Sequence, residues 1–342
     1  MKGFVLRSFM YAVVFVIFSA YAFAAEPIED WRLRNPLNLQ SAAYGHDLFV
    51  VVGENGTIFA SRTGETWSLK ASGISTWLRG VAYGKNTFVA VGDNGMILTS
   101  GDGDKWIVRP SDTTEQISSI VYAKNLFVAV GNNGVILTSE DGEHWSLRKS
   151  GTSLWLNGVA FGNDTFVAAG VMGGVLTSGD GITWKQVDTG TKQGLKALAY
   201  GNKTFVAVGG PGTIMTSPDG EHWTPEISGT SNWLKSVAYG KDTFVATGEY
   251  GTLLTSRDGI AWSVTTAAAS STLYGVTYGN NTFIVAGGPG TILTSKDGSN
   301  WLIRTSGTVD ALRGAAYSNG KLIAVGDKGT ILMSRDGETW TP

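Results

Sequence analysis

Between residues 78 and 110 the chain reads LRGVAYGKNTFVAVGDNGMILTSGDGDKWIVRP, in which apolar runs alternate with short polar or glycine-rich clusters. Runs this short, rich in Val, Ile, Phe and Tyr and bounded by turn residues, are strands; no segment keeps helical spacing over ten or more positions. The pattern predicts strand A over Leu78–Tyr83, strand B over Thr87–Val91, strand C over Met96–Ser100 and strand D over Lys105–Arg109. Every connection is short enough for an antiparallel hairpin. Gly84-Lys85-Asn86 offers residues that tolerate positive φ, and Gly95 can take the left-handed position at the end of the next turn. In the third, Asp102 can accept backbone N–H groups, Gly103 reverses the chain, and Trp106 opens strand D by packing on the sheet.

This alternation returns every 39 residues, eight times. Tryptophans stand at Trp67, Trp106, Trp145, Trp184, Trp223, Trp262, Trp301 and Trp340 without a slip. The same step carries Leu39, Leu78, Leu156, Leu195, Leu234, Leu273 and Leu312, with Ile117 in third place. It also carries Phe49, Phe88, Phe127, Phe166, Phe205, Phe244 and Phe283, with Leu322 in eighth place. A catalytic centre is needed once, so a feature present in every unit is architecture. That decides how to read TSEDGEHW, residues 138–145, where Asp141, Glu143, His144 and Trp145 stand close together. Its aspartate recurs as Asp102, Asp180, Asp219, Asp258, Asp297 and Asp336, with Thr63 in the first unit, whereas its histidine recurs only as His222. The motif is expected to fold a turn.

A four-stranded antiparallel unit of about 40 residues leaves apolar surface on both faces, so units must stack on one another. Radial stacking gives an all-β chain, an eight-bladed β-propeller of four-stranded blades, with seven blades as the alternative. The expected division is an export signal over 1–24, an N-terminal segment over 25–35 with a ring-closing strand, and the propeller over 36–342. Trp31–Arg34 resembles a strand D and is expected beside Ile331–Ser334.

Composition narrows the partners. The start, MKGFVLRSFMYAVVFVIFSAYAFA, has Lys2 and Arg7, an apolar run, and Ala22 and Ala24 spaced as in a cleaved export signal. Its apolar run is shorter than the ~20 residues of a membrane span, so a periplasmic or secreted protein with no lasting membrane anchor is expected. The chain has no cysteine, so packing alone must hold it. Without Lys2 and Arg7 it carries 24 basic against 28 acidic side chains, a formal −4 with no basic cluster. Nucleic acid is therefore excluded as a partner.

The unit VAYGxxxFVAVGxxGxILTSxDGxxW resembles repeats of the photosystem II stability/assembly factor-like group. Its Ser-x-Asp-Gly-x-x-Trp turn looks like the Asp-box of sialidase-type (BNR) propellers, except that Asp and Gly are adjacent here instead of one residue apart. The resemblance spans residues 36–340 and implies a propeller; by analogy with the assembly factors it implies a protein partner.

Sites are sought where the copies differ. In a propeller the D–A loops and B–C turns share one face, and there the position after each repeated leucine or Ile117 holds Gln40, Arg79, Ser118, Asn157, Lys196, Lys235, Tyr274 and Arg313. The B–C turns hold Glu54, Asp93, Asn132, Val171, Gly210, Glu249, Gly288 and Asp327. Units eight, one and two should bring Arg313, Asp327, Gln40, Glu54, Arg79 and Asp93 into a polar arc, while Trp77, Trp155 and Trp233 offer flat surfaces for a protein or a glycan. The plainer reading makes the charges a solvated rim and the tryptophans caps on the blades. A sialidase-like site lacks its arginine triad, although Glu54 with Asp93 or Asp327 could serve a glycoside hydrolase if suitably spaced. His46, His144 and His222 fall on turns of the other face in different units, so no metal site is expected. The Thr-Gly-Lys element of eight-bladed quinone enzymes is absent. The expectation is a monomeric, non-enzymatic binding platform without cofactor, with glycan binding or hydrolysis as the alternative.

Overall fold

The computed structural model describes residues 37–266 and 269–342. They form eight antiparallel sheets, seven of four strands and one of three, each with its strands in chain order. Blade 1 is β1 (Leu39–Gly45), β2 (Leu48–Gly53), β3 (Ile58–Ser61) and β4 (Ser68–Lys70). Blade 2 repeats it as β5 (Leu78–Gly84), β6 (Thr87–Gly92), β7 (Ile97–Ser100) and β8 (Ile107–Arg109). Strands A and B therefore run one residue further than the sequence pattern predicts, and C and D begin one and two residues later. The delay in D has a physical cause: Trp106 is still part of the turn, its indole N–H donating back to Gly103 O at 3.1 Å.

The A–B turns are two-residue hairpins with both central residues left-handed, as at Lys85 and Asn86, φ 46° and 58°. That geometry matches the twist of the flanking strands. Strand B explains the unbroken apolar runs. In β2, Phe49 and Val51 face one neighbouring blade and Leu48, Val50 and Val52 face the other, so both sides of the strand are buried. A strand at the edge of a core would alternate; one between two cores does not.

Each seam between blades holds one apolar cluster. Between blades 1 and 2, Val50, Val52 and Ile58 meet Leu78, Phe88 and Leu98, with Trp106 packed against them. Each of the eight repeated tryptophans belongs to a different seam. The glycine ending strand A is dictated by the next blade: a Cβ on Gly201 would lie 2.0 Å from the ring of Tyr239, and Gly45, Gly84, Gly162, Gly240 and Gly279 face tyrosines in the same way.

The ring closes. Strand A of each blade lies against strand A of the next, and blade 8 lies against β1. Leu39, Phe49 and Phe59 of blade 1 share a cluster with Ile323, Val325 and Ile331 of blade 8. In every blade a B–C glycine N–H donates to the D–A loop twenty residues on, as from Gly290 to Asp310 O; for Gly329 the acceptor is Leu37 O, at 2.5 Å. The segment at Leu37 thus completes the loop that the last blade needs, while the fourth strand of blade 8 is reduced to a bridge between Met333 and Thr341. The stretch Trp31–Arg34, expected beside this edge, lies outside the described residues, as does the segment 1–24.

Candidate functional site

The recurrent turn is closed on itself. Asp141 Oδ1 accepts the N–H groups of Glu143 and His144 at 2.8 and 2.9 Å, Ser139 Oγ accepts from Gly142 N and donates to Asp141, and Trp145 Nε1 donates to Gly142 O. Burial opposes ionisation of Asp141, but the donors of His144, Glu143 and Ser139 hold its carboxyl well below the ordinary range. The N–H groups of Thr183 and Ile182 likewise lower Asp180 to about 2. In the first unit Thr63 Oγ1 takes the same bonds, at 3.2 and 3.3 Å. His144 is exposed, and its bond to Asp141 raises its pKa. This turn is a structural device repeated around the ring. His46 lies in an A–B turn and His144 and His222 in C–D turns. These two turn types share a face, as the bond from Lys124 Nζ to Gly179 O shows.

The opposite face is built by a β-bulge at one position in every blade. Leu39 pairs with Gly53 and Ser41 with Val52, leaving Gln40 without a partner, and the same shift leaves Arg79, Ser118, Asn157, Lys196, Lys235, Tyr274 and Arg313. A bulge re-aims the residue it frees. Because strand A is innermost, eight side chains of six different types ring the mouth of the central channel.

The predicted polar arc is present but divided into pairs. Arg79 holds Asp93 through two bonds of 2.8 and 2.9 Å, and Arg313 holds Asp327 at 2.6 and 2.9 Å. Each pair joins a bulge residue to the B–C turn of its own blade, as does Lys235–Glu249 at 2.7 Å. Glu54 accepts instead from Asn38 N and Nδ2. Gln40 is half-buried beside these groups. Blades 8, 1 and 2 are neighbours as expected, yet their charges are satisfied blade by blade.

The three tryptophans separate into two kinds. Trp77 is half-buried under Arg79, whose guanidinium lies 4.4 Å from the ring centre. Trp155 and Trp233 stand 57% and 47% exposed. Beside them are two residues that sequence reasoning missed: Met172, 66% exposed, and Tyr250, 75% exposed. Both occupy the left-handed B–C position that blades 1, 2 and 3 give to Asn55, Asn94 and Asn133. Asparagine tolerates that conformation; a bulky side chain is strained in it. The signal was in the sequence, as apolar residues where a turn former belongs. With exposed Pro211 they make an apolar arc over blades 4 to 6, facing the charged arc of blades 8, 1 and 2 across the channel.

Blade 5 breaks the pattern. Where blade 2 has Trp77, Arg79 and Asp93, and blade 6 has Trp233, Lys235 and Glu249, blade 5 has Gly194, Lys196 and Gly210. Desolvation by the channel wall lowers the Lys196 pKa, and Lys235 and Arg79 add repulsion. Although the wall crowds it, the side chain remains exposed. A separate cleft of about 1070 Å³ opens on the same face between the outer parts of blades 2 and 3, lined by Val108, Arg109, Arg148 and Lys149 among others. Among the described residues no three His, Asp or Glu side chains converge as a metal site would require.

This chain is similar to known β-propellers. The family model of the DUF6242 beta propeller domain matches residues 189–306. The structure of a computationally designed protein, Ika8, superposes with a TM-score of 0.73 at 16% identity, covering 87% of this chain and 96% of that one. YCF48 from Cyanidioschyzon merolae gives 0.59 at 18% identity, covering 75% and 94%. YCF48 bound to a D1 peptide gives the same score and identity, covering 75% and 91%. No curated protein matches the sequence. At these identities the likeness establishes the fold and nothing finer.

Proposed function

We propose that this chain is an exported, non-enzymatic propeller that binds another protein through the face carrying the D–A loops and B–C turns. The observation that carries this reading is the apolar arc of Trp155, Met172, Trp233 and Tyr250, left in water although every other tryptophan among the described residues is at least partly buried. Aromatic and methionine side chains are enriched at the centres of protein interfaces. Met172 and Tyr250 stand at a turn position that three other blades give to asparagine, so each departs from the turn former that belongs there. That YCF48, a propeller of related shape, has been solved with a peptide bound supports the reading by analogy of fold. Export rests on the charged, apolar and small-residue order of the first two dozen positions.

The bare faces of Trp155 and Trp233 also suit a sugar ring, so a glycan ligand is the second reading. Hydrolysis is disfavoured because Asp93 and Asp327 are each engaged by an arginine. The test is site-specific photo-crosslinking in the native host, with the reactive residue at Trp155 or Tyr250 and, as control, at Ile182 on the opposite face. Discrete protein adducts are expected from the first two positions only. Adducts from Ile182 alone, or glycoside turnover abolished by Glu54→Gln or Asp93→Asn, would overturn the proposal.

A further inference from the structure

The channel mouth contains a three-part arrangement that is complete in two blades and stripped in a third. In blade 2, Arg79 lies 4.4 Å from the Trp77 ring and pairs with Asp93; in blade 6, Lys235 lies 5.5 Å from the Trp233 ring and pairs with Glu249. A cation at the bulge is thus flanked by an aromatic ring from the D–A loop and a carboxylate from the B–C turn. Blade 8 keeps the carboxylate, Asp327, and takes its ring from Tyr274 of blade 7, 4.9 Å from Arg313. Blade 5 keeps only the cation. Glycines 194 and 210 stand where the ring and the carboxylate belong, and among the described residues Lys196 has neither an ion pair nor a hydrogen bond.

The space left behind is specific. A Cβ on Gly194 would meet nothing within 4 Å, so the point from which the indole of blade 2 springs is unobstructed here. On the other side the notch is walled, because a Cβ on Gly210 would lie 2.1 Å from the ring of Trp233. Lys196 supplies an ammonium group between these two positions, and the one wall is Trp233 of the exposed apolar arc. An unpaired cation in a partly desolvated recess seeks a carboxylate, and the open side accepts a flat apolar group.

We infer that the Gly194–Lys196–Gly210 notch of blade 5 receives an acidic side chain of the partner protein, an Asp or Glu next to an aromatic residue, which supplies in trans what blades 2 and 6 carry in cis. This rests on the protein-binding reading and adds the chemistry of the bound segment. It also explains an asymmetry of the ring: three of its four bulge cations are neutralised internally, and the fourth lies beside the apolar arc.

The experiment is selection of a random twelve-residue peptide library displayed on phage against the full chain, followed by affinity measurement with the selected peptides. Peptides that lose binding on Trp155→Ala or Tyr250→Ala are expected to carry Asp or Glu beside an aromatic residue. Lys196→Gln, or Glu→Gln in the peptide, should each weaken binding at least about tenfold, with little further loss when combined. Gly194→Glu, which fills the open side and offers an internal carboxylate, should weaken binding similarly. Both variants should keep the thermal midpoint, since Lys196 is exposed and Gly194 has free space. Arc-dependent peptides indifferent to Lys196 would sink the inference while leaving the docking face standing. Failure to select any arc-dependent peptide would remove both.

Discussion

At the scale of single residues, the division between structure and function follows from where hydrogen bonds end. Trp184 is buried in the seam with blade 3, and its indole N–H is satisfied by Gly181 O at 2.8 Å. His144 bonds to Asp141 and is exposed. Trp184→Ala is therefore expected to destabilise the chain by about 3–5 kcal/mol, the range for deleting a buried aromatic side chain. His144→Ala should leave the urea midpoint nearly unchanged. A costlier histidine would mean that the recurrent turn does more than hold the hairpin. The periodic positions could be assigned from the sequence because each has the same neighbours in every copy. Met172 and Tyr250 break the repeat visibly, but their exposure follows only from the left-handed backbone of the B–C turn, which the periodicity does not convey.

For the elements, the deciding fact is that strand B lies between two cores. Its apolar run names a strand, and the run's constancy from unit to unit names the stacking. What periodicity does not convey is how a seam is fitted, and there the glycine ending strand A is informative. Gly201 is not left-handed; it is glycine because the Tyr239 ring of the next blade occupies the place of a Cβ, 2.0 Å away. Gly201→Ala should therefore destabilise by about 1–3 kcal/mol through overpacking, measured as a lower urea midpoint with an unchanged slope. If alanine proved neutral, the ring would be moving aside and the seam would be looser than it looks. The pairing of Arg79 with Asp93 was likewise beyond the sequence. Both residues belonged to the expected arc, but only the bulge at Arg79 and the return of the B–C turn bring them together within one blade.

Across the whole molecule the repeated carboxylates act together on pH response. Seven C–D turns depend on an aspartate whose folded pKa is depressed, Asp180 to about 2 and the others likewise downward. A depressed carboxyl contributes stability that is present above its unfolded value, about 3.9, and is lost as pH falls through the folded value. These groups are partly in water, so each contribution is modest. The gap in urea midpoint between the wild type and Asp180→Asn is expected to be steady from pH 7 to about 4 and to close towards pH 2. A gap independent of pH would place the turn's strength in its hydroxyl and indole bonds instead.

The closing seam carries a further consequence. Eight near-identical interfaces give a growing chain no means of telling the third partner from the fourth, so slippage by one module is the natural error of such a molecule. At the last join the repeated loop bond runs from Gly329 to Leu37 at the far end of the chain, and two side-chain bonds special to that join add to it: Lys321 reaches the carbonyl of Thr63, and Arg335 meets Glu65. The two side-chain bonds work as a key that identifies the first and last blades to each other, and they give the chain a way to count its own modules.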